Sequence, residues 1–125
     1  MAKVTGIGGI FFRAADPAAL QRWYVENLGL EPDGEGYIVI RWGEGAEAAS
    51  GSTVWAPFPD DTDYMGPNRW MVNYRVDDLD GLVSLLRSRG VSVEDEQIED
   101  DNGRFAWCLD PEGNRVELWE PRPGM

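Results

Sequence analysis

Residues 9–20 read GIFFRAADPAAL and residues 71–82 read MVNYRVDDLDGL, and the fold turns on whether these are two copies of one unit. Laid over each other at an offset of 62 they match Phe12 with Tyr74, Arg13 with Arg75, Asp16 with Asp78 and Leu20 with Leu82. In both copies a short apolar run leads through an Asp into a helical pattern and out through a glycine, Gly29 or Gly90. Asp16 before Pro17 predicts a helix start, because the carboxylate caps free amide groups while proline takes the first helical position. Asp78 predicts the same for the second copy. Leu20, Trp23, Tyr24 and Leu28, and then Leu79, Leu82, Leu85 and Leu86, recur at helical spacing, so each helix has one apolar face to lay on a sheet. Gly29 and Gly90 suit the left-handed residue that ends a helix.

Strand-like runs follow each helix: YIVIRW (37–42) and STVWAPF (52–58) in the first half, RFAWCL (104–109) and NRVELW (114–119) in the second. Asp110-Pro111-Glu112-Gly113 is turn chemistry joining the last two. The expected fold class is therefore α+β: two tandem β-α-β-β-β modules, residues 1–58 and 70–121, joined by a linker at 59–69 within a single domain. Curved mixed sheets carry the helices on their outer face and leave a cleft on the other.

Composition narrows the function. At 125 residues the chain can bury a core without disulfides or metal. Cys108, the one cysteine, lies among apolar residues and reads as an inert buried thiol. No apolar stretch reaches about 18 residues and no leader pattern opens the chain, so neither a membrane span nor a signal peptide is expected, and a cytoplasmic setting is. A net charge of −12, from 23 acidic and 11 basic residues, repels phosphate backbones and anionic lipid, so neither nucleic acid nor membrane is an expected partner. The acidic run from Glu94 to Asp101 reads as a solvated loop. Histidine is absent altogether, which removes the usual metal ligand and general base together.

FFRAADPAALQRWYVENLGLEP, NYRVDDLDGL and DPEGNRVELWEP together resemble the vicinal oxygen chelate superfamily, which includes glyoxalases, bleomycin-resistance proteins and extradiol dioxygenases, across nearly the whole chain. The resemblance implies a cleft that in metal-dependent members holds a divalent ion, with ligands from the first and last strand of each module. Carried onto this chain, those positions are Gly9, Trp55, Met71 and Glu117. Three of the four cannot act as ordinary side-chain ligands, so no metal and no cofactor are expected, and glyoxalase I and extradiol dioxygenase chemistry is disfavoured.

Strand alternation places Gly9, Phe11 and Arg13, then Thr53 and Trp55, then Met71, Asn73 and Arg75, and finally Arg115 and Trp119 on the face of Glu117. Three readings of that face stay open. The first is a metal-independent module binding a small aromatic or cationic molecule through Gly9, Phe11, Thr53, Trp55, Met71, Asn73 and Trp119. The second is a cofactorless lyase or isomerase with Glu117 as base and Arg13 or Arg75 steadying an oxyanion. The third is a structural protein whose cleft is vestigial, collapsed onto Trp55 and Trp119. In each reading Arg13 and Arg75 have a plainer role as ion-pair partners of neighbouring carboxylates. Six tryptophans and open sheet edges predict a homodimer.

Overall fold

The computed structural model describes residues 2–32, 37–43 and 51–125. Its elements run β1 (Val4–Ala14), α1 (Pro17–Leu28), β2 (Ile38–Arg41), β3 (Ser52–Pro59), β4 (Trp70–Val76), α2 (Leu79–Ser88), β5 (Ile98–Asp100), β6 (Gly103–Leu109) and β7 (Arg115–Pro121). They form an α+β fold around a curled mixed sheet of seven strands in the order β2-β3-β1-β4-β7-β6-β5. The first strand of each half pairs in parallel with the last strand of that half, β1 with β3 and β4 with β7, and β1 and β4 join the halves antiparallel.

Both helix starts follow the expected chemistry. Asp16 accepts from the amide of Ala19 and Asp78 from that of Gly81, and Pro17 opens α1. Gly29 at φ 74° and Gly90 at φ 78° take the left-handed conformation just beyond the helices. The two helices pack differently. In α2, Leu79, Leu82 and Val83 are buried in a core with Val76, Ala106, Cys108 and Leu118. No residue of α1 is fully buried, and Trp23 and Leu28, expected on its apolar face, are 52% and 60% exposed. Burial raises the Cys108 thiol above its usual value, assisted by Asp110 and Glu94, in keeping with an inert cysteine.

Part of the acidic run departs from the solvated-loop reading: Ile98–Asp100 pair with β6 as an exposed edge strand. The segment between the halves does more than connect them. Arg13 donates from Nη2 to the Gly66 carbonyl at 2.9 Å, and its backbone amide donates to the Arg69 carbonyl. These bonds turn residues 60–69 into the concave face, where Met65 is completely buried with Phe11, Ala56, Met71 and Trp107.

Candidate functional site

Alternation along β7 turns Leu118 into the helix-covered core and Glu117 and Trp119 onto the concave face. Parallel pairing sets Glu117 beside Asn73 and Trp119 beside Arg75. Glu117 is 2% exposed, and donors surround both of its oxygens. Asn73 Nδ2 donates to Oε1 at 2.7 Å, Trp107 Nε1 donates to Oε2 at 2.9 Å, and the Tyr64 hydroxyl makes a short bond to Oε2. Burial holds the Glu117 carboxyl above the ordinary carboxylate range, against the opposing pull of these three donors and of the Arg115 charge. The Tyr64 hydroxyl is pushed far up, first by its own burial and then by the adjacent Glu117 charge.

Arg115 is the nearby cation, and it is committed elsewhere. Its Nε and Nη2 grip Glu94 at 2.8 Å each, its Nη1 donates to the Tyr64 carbonyl at 2.6 Å, and its guanidinium lies over the rings of Tyr64 and Trp107. That fork holds Glu94 below its usual range and fixes the segment carrying Tyr64 over Glu117. The donor set around Glu117 is thus a phenol, an indole and an amide. A divalent cation needs oxygen, nitrogen or sulfur lone pairs, and here the carboxylate lone pairs already face hydrogens. Among the described residues no cluster of three histidine, cysteine, aspartate or glutamate side chains could hold a metal. The residues do not fit the divalent ion of the metal-dependent fold.

The positions carried over from the repeat need correction. Phe11 pairs with Ala56, whereas its repeat-mate Asn73 pairs with Glu117, so the counterpart of Glu117 is Ala56 and not Trp55. The offset of 62 fails by one residue in β3, and a one-residue slip turns every side chain to the other face. Trp55 accordingly packs on the helix side, its ring 4.6 Å from Tyr24 of α1 and 5.2 Å from Phe12. Thr53 is turned away with it, donating to the Ile7 carbonyl at 2.8 Å and accepting from Trp42 Nε1. The expectation that Thr53 and Trp55 line the cleft is overturned. Ser52, Val54, Ala56 and Phe58 line it instead.

A second irregularity shifts β1. The bulge between Ile7 and Gly9 turns Gly8 toward Asn73, where a β-carbon would collide with Asn73 Oδ1. A β-carbon on Gly9 would meet the ring of Phe11. Asn73, not Met71, therefore neighbours Glu117. Met71 is a completely buried packing residue, and Phe11 and Asn73 line the cleft as expected. Neither arginine pairs with Glu117. Arg13 anchors residues 60–69, and Arg75 lies 5.1 Å from each of the Trp42 and Trp119 rings, between them.

Beside the sealed carboxylate the concave face keeps a cavity of about 590 Å³. Its walls are Phe11, Val54, Ala56, Phe58, Phe105 and Trp119, with Tyr37, Val39 and Arg41 contributed by β2 and the residue before it. Phe105 and Trp119 stack nearly parallel, 2° apart, and Trp119 is fixed by a 2.9 Å bond from its Nε1 to the Asn102 carbonyl. Tyr64, Trp107, Val54, Phe58 and Arg41 went unread in the sequence. One signal for the first was visible: Tyr64-Met65 is an apolar pair within the otherwise polar DDTDYMGP (60–67).

The glyoxalase-like domain family matches residues 9–119. The chain belongs to this family. As a glyoxalase-like protein it shares the vicinal oxygen chelate fold with solved structures across nearly its full length. Methylmalonyl-CoA epimerase from Mycobacterium tuberculosis is 23% identical, with a TM-score of 0.63, covering 96% of this chain and 90% of the epimerase. A variant of the Streptomyces coelicolor methylmalonyl-CoA epimerase in complex with 2-nitronate-propionyl-CoA is 18% identical at TM-score 0.68, covering 95% and 99%. A Legionella pneumophila chain described as NAD-dependent benzaldehyde dehydrogenase is 12% identical at TM-score 0.59, covering 91% and 98%. No curated protein matches the sequence. Likeness at these identities carries the fold and leaves the reaction to the residues.

Proposed function

We propose that this glyoxalase-like protein is a metal-independent small-molecule-binding module, holding an apolar ligand in the aromatic cavity beside Glu117. The observation that carries the reading is the division of the concave face. Tyr64, Trp107 and Asn73 use up the Glu117 carboxylate, while a cavity of about 590 Å³ stays open next to it. That volume falls within the roughly 300–1,000 Å³ of ordinary ligand pockets, and it speaks against a vestigial cleft. Solved epimerases of this fold are in complex with methylmalonyl-CoA and 2-nitronate-propionyl-CoA, which makes a small molecule a fitting partner. The neutral fluorophore N-phenyl-1-naphthylamine should brighten on binding, saturate at one per chain, and lose its site in Val54→Trp, whose indole fills the cavity. Absence of saturable brightening would overturn the reading.

The cofactorless enzyme keeps one supporting observation, the raised pKa of Glu117. Tyr64 is bonded to that buried carboxylate, so a base role requires the displacement of its hydroxyl. Any lyase or isomerase turnover found for this chain should vanish in Glu117→Gln if the glutamate is the base; survival of turnover removes the reading.

We also propose a homodimer, with 1–58 and 70–121 as its modules and 59–69 between them, working in the cytoplasm. Ile7, Ile10, Trp23, Leu28 and Trp70 are exposed large apolar side chains that a partner would cover. Light scattering should give twice the 14.0 kDa chain mass. Among the described residues no helix is long and apolar enough to cross a membrane.

A further inference from the structure

Beyond β7 the residues Arg122-Pro123-Gly124-Met125 make a turn. The Met125 amide donates to the Arg122 carbonyl at 3.1 Å, and Gly124 takes φ 88°. Proline in second place and a glycine of positive φ in third are the chemistry of a type II turn, so the bend is encoded within these residues. What the turn touches is spread across the sheet. At its start Arg122 donates to the Asp100 carbonyl of β5, from Nε at 3.2 Å and from Nη2 at 2.8 Å. At its far side the main-chain oxygen of Met125 accepts from the Ser52 hydroxyl of β3 at 3.0 Å and from Arg75 Nη1 of β4 at 3.1 Å. Arg41 of β2 reaches the Gly124 carbonyl at 3.4 Å.

β5 and β2 are the two edges of the seven-stranded sheet. In a curled sheet, a short segment tied to both edges runs across the concave side. Met125 accordingly lines the cavity with Arg41 and Ser52 of the first half and Asn102 and Trp119 of the second. The ties of the turn to β2, β3, β4 and β5 run from side chains to main-chain oxygens, and Arg122, Pro123 and Gly124 are exposed. None of the four residues belongs to a buried core cluster. A segment held by a few hydrogen bonds near solvent, with little apolar surface buried, opens at low free-energy cost. We propose that residues 122–125 are a strap across the cavity, lifted for a small apolar ligand to enter and closed once it is inside. This deepens the binding reading above and rests on it. Arg122 is not part of the cavity wall, so its influence on binding passes through the strap.

Stopped-flow mixing of the full chain with N-phenyl-1-naphthylamine tests the strap. Arg122→Ala cuts the tie to Asp100, and Gly124→Ala strains the turn at its positive φ. Each should raise the association and dissociation rate constants together by about fivefold, the change that loss of one ordinary hydrogen bond makes to an opening equilibrium. The equilibrium affinity should change less than either rate. Hydrogen exchange of the unliganded protein gives a second readout: the Met125 amide should be protected in wild type and should exchange faster in both variants. Rates unchanged in both variants, or a Met125 amide that exchanges freely in wild type, overturn the strap and leave the binding module standing. If neither wild type nor the variants bind the fluorophore, both readings fall.

Discussion

Glu117 and Arg75 lie on the same concave face, on neighbouring strands, and each is more than nine-tenths buried, yet they are not partners. The carboxylate has gathered neutral donors from three separate elements, Tyr64 of the inter-module segment, Asn73 of β4 and Trp107 of β6. The guanidinium donates to main-chain oxygens of Ser52 and Met125 and lies between two indole faces. At the Glu117 end Tyr64 of the segment 60–69 lies over the carboxylate and Met65 is completely buried; beside it the cavity remains. The comparison teaches that the carboxylate at the position the resemblance gave to a metal ligand is enclosed here by three neutral donors, while a cavity lies beside it.

The comparison can be broken at the closed end first. Met65→Ala removes a completely buried side chain from the Glu117 side and should cost about 2–5 kcal/mol in urea unfolding. A loss below about 1 kcal/mol would mean that residues 60–69 do not plug the cleft. Tyr64→Phe deletes one donor to the carboxylate and should cost about 1–3 kcal/mol at neutral pH. That cost should shrink on acidification, because a protonated Glu117 no longer needs the third donor. A pH-independent loss would point to ring packing alone.

Glu117→Gln sharpens the same point with a smaller effect of opposite sign. The folded-state pKa of Glu117 lies above its unfolded value, so the penalty for its charge is fully present above the folded pKa and disappears as pH falls toward the unfolded one. The Gln variant should therefore be more stable than wild type at neutral pH, by on the order of 1 kcal/mol. Its advantage should vanish near pH 4. An advantage that grows on acidification would reverse the sign and show a carboxylate stabilised by its donors. The smallest expected effect is none: Trp55→Phe should leave the affinity for N-phenyl-1-naphthylamine unchanged, since Trp55 faces α1. Weakened binding would return Trp55 to the cleft.

Much of this molecule was legible before any coordinates. The match of Asp16 with Asp78 and of Phe12 with Tyr74 encodes the duplicated strand and helix locally, in caps and periodicity, and both appear where the spacing puts them. Alternation around Val116 and Leu118 was enough to turn Glu117 onto the concave face, because period two is a property of the strand itself. The failures came where one strand's facing depended on its partner's register. Nothing within STVWAPF shows that β3 sits one residue out of step with β7, and the bulge at Gly8 is a feature of the β1 pairing with β4.

The sequence by itself determined the family, the two-module α+β architecture and the absence of histidine, the commonest metal ligand. Only the tertiary structure decided what Glu117 is for, because Tyr64, Asn73 and Trp107 are 53, 44 and 10 residues away along the chain and meet the carboxylate solely through folding. It likewise decided that Arg75 lies between Trp42 and Trp119 rather than beside Glu117. Local spacing fixes which elements form and which way a strand alternates; hydrogen-bond satisfaction and charge balance in a buried cleft are set by which distant side chains share it.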